Sequence, residues 1–274
     1  MDPTTRLDDG SGSPALLEEA ACEAALRGGE VLRRRFREGG LLRVESKGLH
    51  DFVTEVDREA ESVVVGLLRE RFPSHGILAE EGSAEAGTGA LRWVVDPLDG
   101  TTNFIHGVAT FAVSVAVESP DGVLAGAIHD PVHGETFHAR RGGGARLDGR
   151  PIRCSATATL DDALVATGFP FRELRRLDGY LRTFEAFVRS TAGMRRAGSA
   201  ALDLAHTACG RYDAFWEFGL SRWDIAAGCL IVAEAGGTVT DLAGGGDYLT
   251  SGDVVAAGAV LHPAVVAVTR SGFR

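Results

Sequence analysis

The sequence predicts an α+β layered sandwich, and three observations carry that prediction. Two early segments repeat apolar residues at helical spacing. Short strand-like runs follow, two of them joined by a turn that fits an antiparallel hairpin. The second half then alternates helix and strand.

The first helix is predicted over residues 14–36, where Leu16, Leu17, Ala20, Ala21, Ala24, Val31 and Leu32 recur near helical spacing and Gly39-Gly40 ends the run. Arg33-Arg34-Arg35 reads as its basic last turn, complementing the helix dipole. A second helix runs over residues 57–71 with the stripe Val63, Val64, Leu67 and Leu68, and Pro73 stops it. Strands follow at 92–95, 111–118, 122–129 and 135–140. Ser119-Pro120-Asp121-Gly122 places Pro and Gly where a tight reversal needs them, and Asp148-Gly149 marks another turn. Helices are predicted at 180–189, 199–209 and 224–235, the last closed by Gly236-Gly237. Strands are predicted at 163–166, 212–216, 238–240 and 254–257.

A chain of 274 residues, 45% hydrophobic and 24% charged, suits one compact unit of two joined halves. A polar tail over residues 1–13, expected to be disordered, precedes an N-terminal half at 14–150 and a C-terminal half at 151–274. The opening has no basic segment followed by an apolar one, so no signal peptide is read. The most apolar stretch, 254–268, is interrupted by His262-Pro263 and is too short to span a bilayer. A cytoplasmic protein is expected. Cys22, Cys154, Cys209 and Cys229 are scattered without a C-x-x-C pair and read as free thiols. The formal charge of -10 argues against nucleic acid or anionic membrane as main partner. An acidic protein that binds an anion needs local positive charge, which metal ions on its own carboxylates would supply.

The strongest chemical signal is Trp93-Val-Val-Asp96-Pro-Leu-Asp99-Gly100-Thr101-Thr102-Asn-Phe104. A buried strand delivers Asp96 to its end, Pro97 forbids continuation of the ladder, and Asp99 follows in a tight turn. Two carboxylates offset in this way can converge on a hard divalent cation. Gly100 allows close backbone approach, and Thr101-Thr102 begins a short helix with free N–H groups. Asp-Pro and Asp-Gly alone are ordinary turn dipeptides; the full run is not ordinary. Glu80-Glu81-Gly82 ends the apolar run Ile77-Leu78-Ala79, and by itself reads as a solvated loop. Trp223-Asp224 opens an apolar helix, where Asp would serve as an ordinary N-cap. His129, His133 and His138 lack metal-ligand spacing and read as surface residues. Gly142-Gly143-Gly144 lacks the Lys-Ser/Thr of a P-loop.

These runs, with Lys47-Gly-Leu-His-Asp51-Phe-Val-Thr54-Glu-Val-Asp57, Thr167-Gly-Phe-Pro-Phe-Arg172 and Arg195-Arg-Ala-Gly198-Ser-Ala-Ala-Leu-Asp-Leu204, resemble the inositol monophosphatase family over nearly the whole chain. The resemblance implies a layered αβαβα sandwich of the sugar-phosphatase type. It further implies a first Mg²⁺ on Glu80, Asp96 and the Leu98 carbonyl, and a second on Asp96, Asp99 and Asp224. A weaker third ion would sit near Glu80, with Asp57 reaching it through water. Thus the N-terminal half would hold most ligands, and the C-terminal half would add Asp224 and the substrate pocket.

Gly100 and Thr101 N–H groups would bind phosphate, with Thr102 beside them. Thr101, oriented by Asp57, would help Glu80 activate the attacking water. Glu217 would bind substrate hydroxyls, with Ala200 its neighbour. Lys47, the chain's one lysine, lies in the matching upstream run. Metal ions would offset the repulsion between carboxylates and a phosphate dianion, and a second ion would hold the departing alkoxide. The implied reaction is hydrolysis of myo-inositol 1-phosphate by a homodimer, with Li⁺ inhibition. Histidinol phosphate, fructose 1,6-bisphosphate and sulfated nucleotides are substrates of related enzymes, and Thr102 favours the inositol branch. Leu220-Ser221-Arg222 departs from the animal enzymes. Some bacterial relatives act instead as regulatory binding proteins in transcription or ribosome maturation.

Overall fold

The computed structural model describes residues 12–39, 44–48, 51–171 and 173–273. The first half contains α1 (Pro14–Glu38), β1 (Val44–Gly48), β2 (Asp51–Thr54), α2 (Glu55–Arg71), β3 (Gly76–Ala79), β4 (Ala84–Glu85), β5 (Arg92–Asp99) and α3 (Thr101–Ile105). It continues through β6 (Ala112–Ser119), β7 (Gly122–Asp130), β8 (Glu135–Arg140), β9 (Ala145–Leu147) and β10 (Arg150–Pro151). The second half contains β11 (Leu164–Thr167), α4 (Leu177–Ser190), β12 (Gly193–Arg195), α5 (Ala200–Ala208), β13 (Ala214–Glu217) and α6 (Arg222–Glu234). It ends with β14 (Gly237–Thr240), α7 (Tyr248–Ser251), β15 (Val254–Gly258) and α8 (His262–Gly272).

An eight-stranded sheet of order β10-β9-β8-β7-β6-β5-β3-β4 and a five-stranded sheet of order β12-β11-β13-β15-β14 stack with helices between and outside them. Strand alternation sorts the layers. On β6, Val113, Val115 and Val117 join the core under α1 and α2, while Ala112 and Ala116 face the opposite core with α5 and α6. On β13, Phe215 points to that same middle core, whereas Ala214 and Trp216 pack with Tyr180, Phe187 and Val265 of α4 and α8. The order is therefore αβαβα, as expected. The middle helix α6 is buried without a break from Asp224 to Val232, because it is covered on both faces.

Several expectations change in the structure. The ladder does not stop at Pro97: Asp96 pairs with Ser114 and Asp99 with Ala112, so three steps on β5 span two on β6. Pro97-Leu98 forms a bulge, which is where a strand tolerates a missing N–H. Pro263 does not break the last apolar stretch but sits in the first turn of α8, a position that suits its fixed φ. His129 is buried with Nδ1 2.9 Å from Thr136 Oγ1, and His138 Nδ1 lies 2.7 Å from Glu18; His133 alone of the three is exposed. Arg34 and Arg35 join Glu59 and Glu55 of α2, beyond any effect on the helix dipole.

Asp148 and Gly149 both have positive φ in the β9–β10 turn. The four cysteines are free, with Cys229 buried and the others partly so. Of the expected tail, residues 1–11 lie outside the described residues, and Ser13 caps α1. Among the described residues, no helix is long and apolar enough to cross a membrane.

Candidate active site and metal centre

The bulge in β5 explains how two carboxylates three residues apart reach one place. An uninterrupted strand would send Asp96 and Asp99 to opposite faces; the extra residue restores Asp99 to the face of Asp96. Asp224 arrives from α6. One carboxylate oxygen each from Asp96, Asp99 and Asp224 lie within 4.8 Å of one another. These three, with Glu80, Leu98, Gly100, Thr101, Thr102, Ala200 and Glu217, line one cavity of about 390 Å³. Lys47 lies on β1, where side chains are outside the description.

Asp224 is not the N-cap of α6. Ser221 is, and Asp224 is the third helical residue, its Oδ2 accepting the Ser221 N–H at 2.7 Å. That bond fixes one oxygen and leaves the carboxylate turned into the cavity. Asp96 Oδ1 likewise accepts the Leu98 N–H at 3.0 Å inside the bulge. Asp99 Oδ2 accepts from Ser199 Oγ at 2.6 Å and from the Ala201 N–H at 2.7 Å, at the start of α5. Asp96 and Asp224 are thus held by backbone donors two and three residues away, and Asp99 by donors from the start of α5.

Asp57 is fully buried beneath the cavity. Its Oδ2 accepts the Thr54 N–H at 2.9 Å and the Thr54 hydroxyl, while Oδ1 lies 3.1 Å from Thr101 Oγ1. Burial pushes its carboxyl above the ordinary range, and bonds from Thr54 and Thr101 oppose that shift. Thr101 Oγ1 also lies 3.0 Å from the Leu98 carbonyl, so its proton has two acceptors. Gly100 has φ +98°, and a β-carbon there would meet the Thr110 carbonyl at 2.9 Å. The following turn of α3 therefore opens with backbone N–H groups that have no partner inside the helix.

The electrostatics of the acids favour a cation. Asp96 is 1% exposed, and burial, then the charges of Glu80, Asp99 and Asp224, raise its carboxyl well above the carboxylate range. A side-chain hydrogen bond with Glu80 adds to the rise. A divalent ion with hard oxygen preference fits this donor set of carboxylates and a carbonyl. It would offset the repulsion among these acids.

Sequence reasoning missed several supporting residues. Buried Glu61 on α2 accepts the N–H groups of Glu81 at 2.8 Å and Ser83 at 3.1 Å, fixing the loop that carries Glu80. Ser199 was visible only as a helix start. Asp203 is buried under the same wall, with Oδ1 lacking a hydrogen-bond partner, and burial followed by Glu217 and Asp99 raises its carboxyl. Arg196 is the one cationic residue lining the cavity among the described residues; its guanidinium lies 5.0 Å from the Phe169 ring and 5.4 Å from that of Phe171. Ser199, Asp203 and Arg196 fall in the run Arg195–Leu204 that carries the resemblance, but their contacts do not show there, because each acts on residues far away in the chain; Glu61 has no local signature at all.

A five-layer sandwich with an acidic cavity at the ends of its strands is the arrangement of a layered-sandwich phosphatase. The profile of the inositol monophosphatase family matches residues 14–272. The chain belongs to the inositol monophosphatase family, whose members are metal-dependent. It is 50% identical over 241 residues to the Nus factor SuhB of Pseudomonas aeruginosa, covering 86% of this chain and 89% of that one. It is 43% identical over 245 residues to the inositol-1-monophosphatase of Mesorhizobium japonicum, covering 89% and 92%. The crystal structure of extragenic suppressor protein suhB from Bartonella henselae superposes with TM-score 0.90 at 40% identity, covering 95% of this chain and all of that one. The inositol monophosphatase of Anabaena gives 0.85 at 36%, covering 94% and 96%.

Proposed function

We propose that the protein is a Mg²⁺-dependent phosphomonoesterase that hydrolyses myo-inositol 1-phosphate, or a closely related polyol or sugar phosphate, to the alcohol and inorganic phosphate. The observation that carries this reading is the convergence of Asp96, Asp99 and Asp224 on one point beside Glu80. Glu80, Asp96 and the Leu98 carbonyl would hold one ion, Asp96, Asp99 and Asp224 a second, and a third would lie near Glu80 with Asp57 behind it. When bound, the ions supply positive charge for the phosphate and the leaving oxygen and make a water more acidic.

The chain's own groups do the rest. Gly100 and Thr101 N–H groups, with Thr102 beside them, hold the phosphate oxygens. Asp57 fixes the rotamer of Thr101, whose hydroxyl orients the attacking water. Glu80 accepts the proton from that water at its carboxylate. Glu217 accepts hydrogen bonds from alcohol hydroxyls, Ala200 leaves room for the ring, and Lys47 is assigned to the same substrate-binding set on the family resemblance alone. The same reading includes a cytoplasmic homodimer inhibited by Li⁺. Histidinol phosphate and fructose 1,6-bisphosphate are the alternative substrates.

Phosphate release from a panel of these esters, with Mg²⁺ and with chelator, tests the proposal. Release only with Mg²⁺ and fastest on inositol 1-phosphate is expected; release that survives complete chelation sinks the metal assignment. The name Nus factor carried by the Pseudomonas aeruginosa relative favours a second reading, a regulatory binding protein in transcription. No release from any ester by a folded, Mg²⁺-loaded chain would favour it.

A further inference from the structure

Strands β11 and β13 run parallel with Thr167 opposite Trp216, so Gly168, just past the end of β11, and Glu217, the last residue of β13, lie side by side at the cavity. A β-carbon on Gly168 would stand 1.9 Å from Glu217 Oε1, 2.0 Å from Cδ and 2.2 Å from Oε2. The Glu217 carboxylate therefore occupies the space a side chain at 168 would fill. Backbone conformation is not what requires glycine here, since Gly168 is absent from the residues with positive φ. Space alone does.

We propose that Gly168 is a specificity-determining position: its bare α-carbon seats Glu217 flat against the sheet edge and so opens the alcohol-binding half of the cavity to a ring bearing several hydroxyl groups. This rests on the reading of Glu217 as the hydroxyl-binding acid. A methyl at 168 pushes the carboxylate off its seat, into the space the alcohol needs. Selection for a polyol over a bare aryl alcohol then falls, while the residues that hold phosphate are untouched.

The test compares kcat/KM for inositol 1-phosphate with that for phenyl phosphate, which has no hydroxyl to recognise. Gly168→Ala is expected to lower that ratio about tenfold or more, the scale of one misplaced group in a binding pocket. In a Glu217→Ala background the same change is expected to lower it no further, because the clashing group is gone. Melting temperature should fall in Gly168→Ala and recover in the double variant. If the single variant does not fold, the double variant carries the test and must match Glu217→Ala. An unchanged ratio in an active Gly168→Ala enzyme, losses that multiply in the double variant, or a double variant that also fails to fold would each overturn the proposal. Turnover of phenyl phosphate but not inositol 1-phosphate by the unaltered chain would instead refute the substrate reading, and the melting rescue would still decide the Gly168–Glu217 contact.

Discussion

Ser199 Oγ donates to Asp99 Oδ2 at 2.6 Å while accepting the Leu202 N–H at 3.3 Å, so one hydroxyl both caps α5 and restrains a candidate metal ligand a hundred residues earlier. Removing it in Ser199→Ala should cost about 1 kcal/mol of stability through the lost cap. It should also weaken Mg²⁺ activation about ten- to hundredfold, as loss of a ligand's supporting bond does. The Ala201 N–H keeps Asp99 near its place, so turnover at saturating Mg²⁺ should largely return. A Mg²⁺ titration of the rate, alongside thermal melting, checks both halves.

Asp96→Asn should reduce turnover at least about a thousandfold, since it removes a charge shared by two proposed ions. The metal-free variant should nevertheless be more stable than the parent. Asn relieves the repulsion from Glu80, Asp99 and Asp224, keeps the Leu98 N–H acceptor, and can donate to Glu80. Near-normal turnover, or a lower melting temperature without metal, would contradict this account.

The pH dependence of the metal-free protein follows from the same acids. The folded Asp96 carboxyl sits well above its unfolded value of about 4, so between those two values the folded chain holds a proton that the unfolded chain has lost. Stability from this group is complete below the unfolded value and is lost as pH rises through the folded one. Melting should therefore be higher in mildly acidic than in alkaline buffer once metal is removed, and Mg²⁺ should stabilise more as pH rises. Scanning calorimetry with and without chelator measures the crossing effect; a Mg²⁺ benefit that grows on acidification would refute it.

Thr101→Val removes the hydroxyl between Asp57 and the Leu98 carbonyl with little change of volume. A loss of about a hundredfold in kcat is expected, at the low end for a group that positions a reacting proton. Thr101→Ser should recover most of it, which a purely packing role for the methyl would not allow.

The parts legible in the sequence were those encoded locally. Helical stripes placed α1 and α2, although Leu16 and Val63 of those stripes are exposed, Asp148-Gly149 marked its turn, and the Asp96–Thr102 run pointed to its own convergence through Pro and Gly chemistry. Pro97 misled because a proline ends a ladder only if the strand cannot bulge around it. His138 looked peripheral because its partner Glu18 is brought by the packing of α1 on the sheet, and His129 because the same helix buries it at Gly29 while Thr136 meets it across the β7–β8 hairpin. Glu61, Ser199 and Gly168 matter through neighbours distant in the chain, and no spacing rule reaches them.

The buried helix α6 carries a consequence for how such a protein diversifies. Being wedged between two sheets, it cannot shift without disturbing both, and Asp224 on its first turn, a proposed metal ligand, shares that rigidity. The exposed rings of Phe169 and Phe171 at the cavity mouth are held by each other and by Arg196, not by a sheet. Substitution at the rim should therefore change which alcohol the proposed phosphatase accepts while leaving the cluster of acids where it is.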